Sequence, residues 1–126
     1  MPVLTEPPSM GDVLKYEVNP NYTREVVTLL IGTDYPAGAV LGRITASGKY
    51  TLSPATGADG SQTAVAVLLY PVNATLADAV GIVVTRGPAI VSRAALAYEA
   101  TVNDAAKIAA KITQLAAVGI IARDGV

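Results

Sequence analysis

The chain has 126 residues, of which 52% are hydrophobic and only 15% are charged, so it is apolar and long enough for one domain. Phe, Trp, Cys and His are all absent. Their absence excludes thiolate and imidazole catalysis, disulfides and the usual zinc ligands, and we expect no metal and no cofactor. The net charge of −1, without a block of like charge, argues against direct binding to nucleic acid.

Charged residues interrupt almost every apolar stretch before it reaches the ~18 residues that a membrane-spanning helix needs. The remaining charge-free windows contain Pro54 and Pro71, which fit strands and turns better than a bilayer helix. The N-terminus also lacks a basic region followed by an apolar run, so no secretory signal is visible. We therefore expect no membrane partner and a protein that folds in a cytoplasm.

Residues 1–22 are predicted to form an extended N-terminal arm, because prolines and Gly11 interrupt regular structure there. Its apolar residues are too many for a purely solvated tail, and they are the candidate binding residues: Val3, Leu4, Val13, Leu14, Tyr16 and Val18. Two interpretations remain open. The segment is either a frayed terminus or an extended strand that adds to the sheet edge of another protein.

Residues 23–126 are predicted to form a single domain of short strands rich in β-branched residues and separated by turns. We predict strands over 25–31, 39–45, 49–52, 64–70, 79–85 and 89–92. The second and third form a hairpin around Ala46-Ser47-Gly48, and the run 64–70 is apolar enough for a strand covered on both faces. Residues 34–38, 53–62 and 73–78 are predicted to be turns or connections.

One convincing helix follows these strands. Thr101 or Asn103 is its predicted N-cap, with Asp104 in the first turn and Gly119 at the C′ position. The spacing of Ile108, Ile112 and Leu115 predicts one apolar face, and Lys107 and Lys111 are placed together on another face. Residues 120–123 continue beyond the helix. The predicted fold class is β-rich, all-β to α+β: a small compact β domain with one C-terminal α-helix and no βαβ alternation.

No motif of catalytic chemistry stands out. The ten carboxylates are scattered singly, and the glycine-bearing segment 57–61 lacks the Gly-Lys-Ser/Thr ending and the following helix of a phosphate-binding loop. The six Tyr residues are spread through the chain and do not form a cluster with basic residues, which favours packing over base stacking. We therefore predict no catalytic residues and no enzymatic activity.

Two segments nevertheless carry a recognisable pattern. Residues 39–50 read AVLGRITASGKY, and residues 58–68 read ADGSQTAVAVL. This order of strand, glycine turn, Tyr-bearing strand and Asp-Gly-Ser-Gln loop resembles the head decoration proteins of lambda-like tailed bacteriophages, the protein D family. The likeness is looser downstream, where residues 93–96, the helix and Gly119-Ile120 follow in the same order.

The resemblance implies a structural protein of the virion. Proteins of this family are trimers on the outer surface of the expanded capsid, at three-fold and quasi-three-fold positions where subunits of the major capsid protein meet. They stabilise the head against the pressure of packaged DNA, and their N-terminal arm becomes ordered on the capsid. By this likeness the chain is made in the host cytoplasm, forms a homotrimer and uses residues 1–22 as its arm.

The main alternative is a non-catalytic β-rich interaction or ligand-binding module of another phage structure, such as a tail or baseplate. A sugar-binding module would normally present exposed aromatic platforms, and the absence of Trp disfavours it. A small enzyme is the third hypothesis, and the absence of a catalytic motif disfavours that one as well.

Overall fold

The computed structural model describes residues 10–124, which form ten strands in three sheets, three α-helices and one 3₁₀ turn. The first half contains α1 (Met10–Val13), β1 (Leu14–Glu17), α2 (Pro20–Thr23), β2 (Arg24–Leu29), β3 (Thr33–Tyr35), β4 (Val40–Arg43) and β5 (Tyr50–Leu52). The second half contains β6 (Ala64–Leu68), β7 (Val72–Ala74), β8 (Ala79–Val84), β9 (Ala89–Ser92), the 3₁₀ turn (Arg93–Ala95), α3 (Ala105–Ala117) and β10 (Ile120–Arg123). The predicted β-rich fold class is confirmed.

Five strands close on themselves in the order β2-β5-β4-β6-β8. The predicted hairpin is confirmed, because β4 and β5 pair antiparallel with Leu41 opposite Leu52 and Arg43 opposite Tyr50. The sheet closes where β2 meets β5 in a short parallel pairing. On its other edge β2 pairs antiparallel with β8 over six residues, from Arg24 opposite Val84 to Leu29 opposite Ala79.

Two of the predicted connections overlap strands. β3 shares two residues with the predicted turn 34–38, and β7 shares two with the predicted connection 73–78. The two strands pair antiparallel, with Thr33 opposite Ala74 and Tyr35 opposite Val72. Tyr35 and Ala74 are fully buried, so this pairing closes part of the core. Strands of three residues are too short to display an alternation that a sequence pattern can reveal.

The third sheet has the order β1-β9-β10, with β1 antiparallel and β10 parallel to β9. Parallel neighbours require a crossover connection, and α3 supplies it. The expectation of no βαβ alternation was therefore wrong in one place, since β9, α3 and β10 form one such unit. A single unit produces no repeating pattern in the sequence.

Helix α3 begins at Ala105, one residue later than an N-cap at Asn103 implies and three later than one at Thr101 implies. Its N-cap is Asp104, whose Oδ1 accepts a hydrogen bond of 2.9 Å from the backbone N–H of Lys107, and neither Thr101 nor Asn103 has this role. The helix ends at Ala117, and Gly119 follows in the left-handed region as predicted. Leu115 is fully buried, but so is Lys111, so the prediction that the lysines lie on a different face from the apolar residues was wrong for Lys111.

The buried apolar residues form two clusters. One fills the closed sheet and includes Leu29, Leu41 and Leu68, and the other lies between the outside of β4 and β6 and the layer formed by β9, β10 and α3. Strands β4 and β6 serve both clusters, since Val40 and Val67 point to the second. The segment predicted to be covered on both faces, 64–70, therefore contains such a strand. Among residues 10–124, no helix is long and apolar enough to cross a membrane.

Candidate interaction surface

The six candidate arm residues do not share one surface in the structure. Val3 and Leu4 lie outside the described residues. Val13 is fully buried in the second cluster and Leu14 packs against that cluster, whereas Tyr16 and Val18 are half exposed. Residues 10–22 thus lie on the domain, with β1 hydrogen-bonded to β9. A side chain such as Val13 supports the fold and is not available to a partner.

A polar contact fastens this segment to the closed sheet. The Glu17 carboxylate, on β1, accepts hydrogen bonds from the Arg24 guanidinium at 2.9 Å and from the Thr23 hydroxyl at 2.5 Å. Burial alone would raise the pKa of Glu17, but the hydrogen bonds from Arg24 and Thr23 outweigh burial and hold the pKa below its ordinary value. The contact therefore favours the ionised carboxylate.

The outer face of the β2–β8 pair is apolar and exposed. Val26 lies directly opposite Ile82, and Thr28 lies opposite Val80, so these side chains share one face. Val26 is 69% exposed and Val80 is 65% exposed. At the end of the pair Leu76 and Ile31 are also exposed. We call Val26, Ile31, Leu76, Val80 and Ile82 the apolar stripe.

Ion pairs border the apolar stripe. Lys49 and Asp78 are 2.6 Å apart at the end near Ile31, and Asp78 also accepts a hydrogen bond of 2.7 Å from the Ile31 N–H. At the other end Glu25 pairs with Arg86, whose guanidinium lies 5.6 Å from the centre of the Tyr22 ring. Because these charges are already paired within the chain, the stripe presents an apolar surface without a strong field of either sign.

Sequence reasoning missed the apolar stripe. A signal was present, because residues 79–84 are all apolar or glycine, and such a run indicates a strand that is apolar on both faces. Among residues 10–124, one of those faces has no cover at Val80 and Ile82, whereas Val84 at its end is buried in the second cluster. No group of three or more acidic, His or Cys residues that could hold a metal ion occurs in this part of the chain.

Comparison with known proteins identifies the family. The profile of the bacteriophage lambda head decoration protein D family matches residues 3–120. Among individually curated proteins no significant match is found. The match covers nearly the whole chain, including the hairpin, the Asp-Gly-Ser-Gln loop and the crossover helix. The chain therefore belongs to the bacteriophage lambda head decoration protein D family, whose members are structural proteins of the phage head.

Proposed function

We propose that this protein binds as a homotrimer to the outer surface of the expanded phage capsid and stabilises the head against internal DNA pressure. The partner is the major capsid protein, at three-fold and quasi-three-fold positions. Family membership carries this proposal, since a head decoration protein works by contact with the capsid surface. Among described residues the exposed apolar stripe supports it, because a protein that acts by contact needs a surface of this kind.

Self-association would use the apolar stripe. Burial of exposed valine, isoleucine and leucine side chains is favourable at about 25 cal/mol per Å² of apolar surface. The ion pairs at its borders are internal, so a second copy brings no uncompensated charge against them. Three copies around one axis would remove three stripes from water at once, which favours a closed assembly over a monomer.

Capsid attachment would use residues 1–9 together with the exposed side chains of the following segment. Tyr16 and Val18 are half exposed; Tyr16 lies on β1, and Val18 directly follows that strand. Three arms on one trimer bind multivalently, so each weak contact raises the effective concentration for the next. The protein would stabilise the head because it binds the expanded capsid lattice more tightly than the unexpanded one.

The stripe is tested by a matched pair of substitutions. Ile82, which is 37% exposed, lies in the stripe, whereas Ile121, which is 39% exposed, lies on β10 outside it. We expect sedimentation velocity to find a trimer for the wild type and for Ile121→Asp, and a monomer for Ile82→Asp. A trimer that survives Ile82→Asp but not Ile121→Asp would assign self-association to another surface.

The arm is tested by deletion of residues 1–9, a cut that spares the buried Val13. We expect the wild type to co-sediment with expanded, undecorated capsids and not with procapsids. The deletion variant should lose capsid binding while it keeps the wild-type melting temperature and trimer. Unchanged binding by the deletion variant would show that the arm is a frayed terminus, and binding only to tails or baseplates would favour the alternative function.

A further inference from the structure

The loop between β5 and β6 is fixed by its own polar groups. Asp59 Oδ1 accepts hydrogen bonds from the backbone N–H of Ser61 at 2.9 Å and from its hydroxyl at 2.6 Å. Gln62 Oε1 accepts from the N–H of Gly60 at 2.9 Å. Gly60 has a φ of +100°, and a Cβ there would lie 2.3 Å from Thr45 Oγ1, so only glycine fits. The Asp-Gly-Ser-Gln motif thus builds a defined loop.

The same loop lies tightly against strand β4. A Cβ on Gly42 would lie 1.9 Å from the carbonyl oxygen of Ser61, so the strand backbone makes room for the loop. Ser53, at the start of the loop, donates a hydrogen bond of 2.7 Å from its hydroxyl to that carbonyl. The two ends of the loop are therefore held together, which brings the Ser53 hydroxyl and the carbonyl groups of Pro54 and Gln62 close to one another.

Lys111 of helix α3 occupies that place. Its side chain is buried, and its Nζ donates to Ser53 Oγ at 2.9 Å, to the Pro54 carbonyl at 2.6 Å and to the Gln62 carbonyl at 2.5 Å. A fourth oxygen, Oε1 of Gln114, lies 3.4 Å away. We call these four oxygen atoms the ammonium cage. An ammonium group has three donors and no acceptor, which matches three close oxygens.

The chemistry of the cage selects its occupant. All four ligand atoms are uncharged hydroxyl, carbonyl or amide oxygens, whereas Ca²⁺ and Mg²⁺ sites are usually built around carboxylates. The pKa of Lys111 is lowered by burial, and the negative charge of Glu99 acts in the opposite direction. The hydrogen bonds of the cage replace the water that the ammonium group loses, which is the condition for burying such a group without a large penalty.

The cage also connects two parts of the fold. Gln114, one turn after Lys111, accepts a hydrogen bond of 2.8 Å at its Oε1 from the N–H of Ala64, the first residue of β6. Leu115, the next residue of the helix, is fully buried in the second cluster. Helix α3 therefore meets the closed sheet through apolar packing and through this polar contact with the β5–β6 loop.

We propose that the β5–β6 loop is a binding site for a primary ammonium group, and that the protein fills this site with its own Lys111 to fasten helix α3 to the closed sheet. The Asp-Gly-Ser-Gln motif shapes the receptor, and the helix supplies the ligand. The inference is independent of capsid binding and of trimer formation.

Chemical rescue of Lys111→Ala tests the site directly. This substitution removes three carbons and the ammonium nitrogen, which n-propylammonium supplies. We expect Lys111→Ala to melt at a lower temperature than the wild type, and its melting temperature to rise with n-propylammonium chloride. At ten times the Kd the ratio of folded to unfolded protein should rise about elevenfold. The wild type and the matched variant Lys107→Ala, altered one turn earlier on the exposed face, should show no such rise.

Two controls separate the contribution of hydrogen bonding at Lys111 from the contributions of its charge and its size. Tetramethylammonium chloride at equal concentration has the charge but no N–H donor, and it should not rescue Lys111→Ala. Lys111→Met has the size but no donor, and it should melt below the wild type. Rescue by both salts, rescue by neither, or a Lys111→Met protein as stable as the wild type would each overturn the proposal.

Acylation of the wild type provides a measurement that does not depend on a folded variant. We expect an amine-reactive reagent to modify Lys111 at least about tenfold more slowly than Lys107, as read by peptide mass spectrometry, and the difference to vanish in denaturant. This factor corresponds to an opening free energy of about 1.4 kcal/mol. Equal or faster modification of Lys111 in the folded protein would show that the amine is not held in the cage.

Discussion

Two sides of the same closed sheet differ in what covers their outer face. On the β4–β6 side, Val40 and Val67 point outward and are fully buried under the layer of β9, β10 and α3. On the β2–β8 side, Val26 and Val80 also point outward and are largely exposed. The residue types are the same, so hydrophobicity alone does not say which face of a strand is covered. Residues 10–124 leave the second side largely uncovered, and an exposed apolar surface of this kind is typical of an interaction site.

The border between the two sides is polar. Arg24 shares the outer face of β2 with Val26, and it is paired with Glu17 of β1. The cover therefore ends at an ion pair, and the exposed stripe begins next to it. The loss in the free energy of unfolding should accordingly be largest for substitutions on the covered side, intermediate at the border and smallest on the exposed side.

The largest effect is expected on the covered side. Leu115→Ala removes a fully buried side chain from the cover over β6, so we expect the free energy of unfolding to fall by about 2–5 kcal/mol. Urea denaturation followed by circular dichroism measures this loss. The matched substitution on the exposed face of the same helix, Thr113→Ala, should change the value by no more than about 0.5 kcal/mol. Similar losses for both would mean that α3 does not cover the sheet in solution.

An intermediate effect is expected at the border. Glu17→Gln weakens the contact with Arg24, and we expect a loss of about 1 kcal/mol at neutral pH, since both groups are partly screened by water. The folded state lowers the pKa of Glu17, so its stabilisation is complete above the ordinary pKa of 4.5 and is lost as the pH falls through the lowered value.

The pH dependence distinguishes this interpretation from a packing defect. Thermal melts between neutral and acid pH should show the wild type and Glu17→Gln converging as the pH falls. Other carboxyl groups with a lowered pKa, such as Asp59 and Asp78, are present in both proteins, so they cancel in the difference. A difference that stays constant down to acid pH would mean that the charge of Glu17 contributes nothing.

The smallest effect on the isolated subunit is expected on the exposed side. Ile82→Ala removes a side chain that is only partly buried, and at high dilution we expect a change of at most about 0.5 kcal/mol in the free energy of unfolding. At high protein concentration the wild type should gain stability relative to the variant, because association stabilises the folded state. Concentration-dependent melts measure this gain, and parallel curves for the two proteins would leave the stripe without a role in association.

Much of the fold could be predicted from local pattern, and the failures have physical causes. The apolar run of β6 and the hairpin around residues 46–48 are visible because neighbouring residues share one environment. Val13 belongs to a segment that packs against β9 and the 3₁₀ turn, which are distant in sequence, and no pattern near Pro2 to Gly11 reveals this. Lys111 was misplaced because a lysine in a helix is usually solvated, and its three oxygen partners come from a loop about 50 residues earlier in the chain.

The candidate site was predictable only in part. The family resemblance is carried by residues 39–68, where Gly42, Gly60 and the Asp-Gly-Ser-Gln loop are positions at which backbone geometry restricts the sequence. The apolar stripe, by contrast, depends on the absence of a cover. A sequence shows that Val26, Val80 and Ile82 are apolar. The topology of the chain decides whether the crossover helix covers the β4–β6 side or the β2–β8 side of the closed sheet.

The strand order β1-β9-β10 brings the start of β1 and the end of β10 to the same end of the sheet. Leu14, the first residue of β1, and Ala122, near the end of β10, both pair with Val91 of β9. Because neighbouring strands lie about 4.8 Å apart, the points where the chain enters and leaves this sheet are separated by roughly 10 Å. A short linker from the end of β10 to the start of α1, which keeps the buried Val13, should therefore allow circular permutation of residues 10–124, with new ends opened in an exposed loop such as residues 75–78.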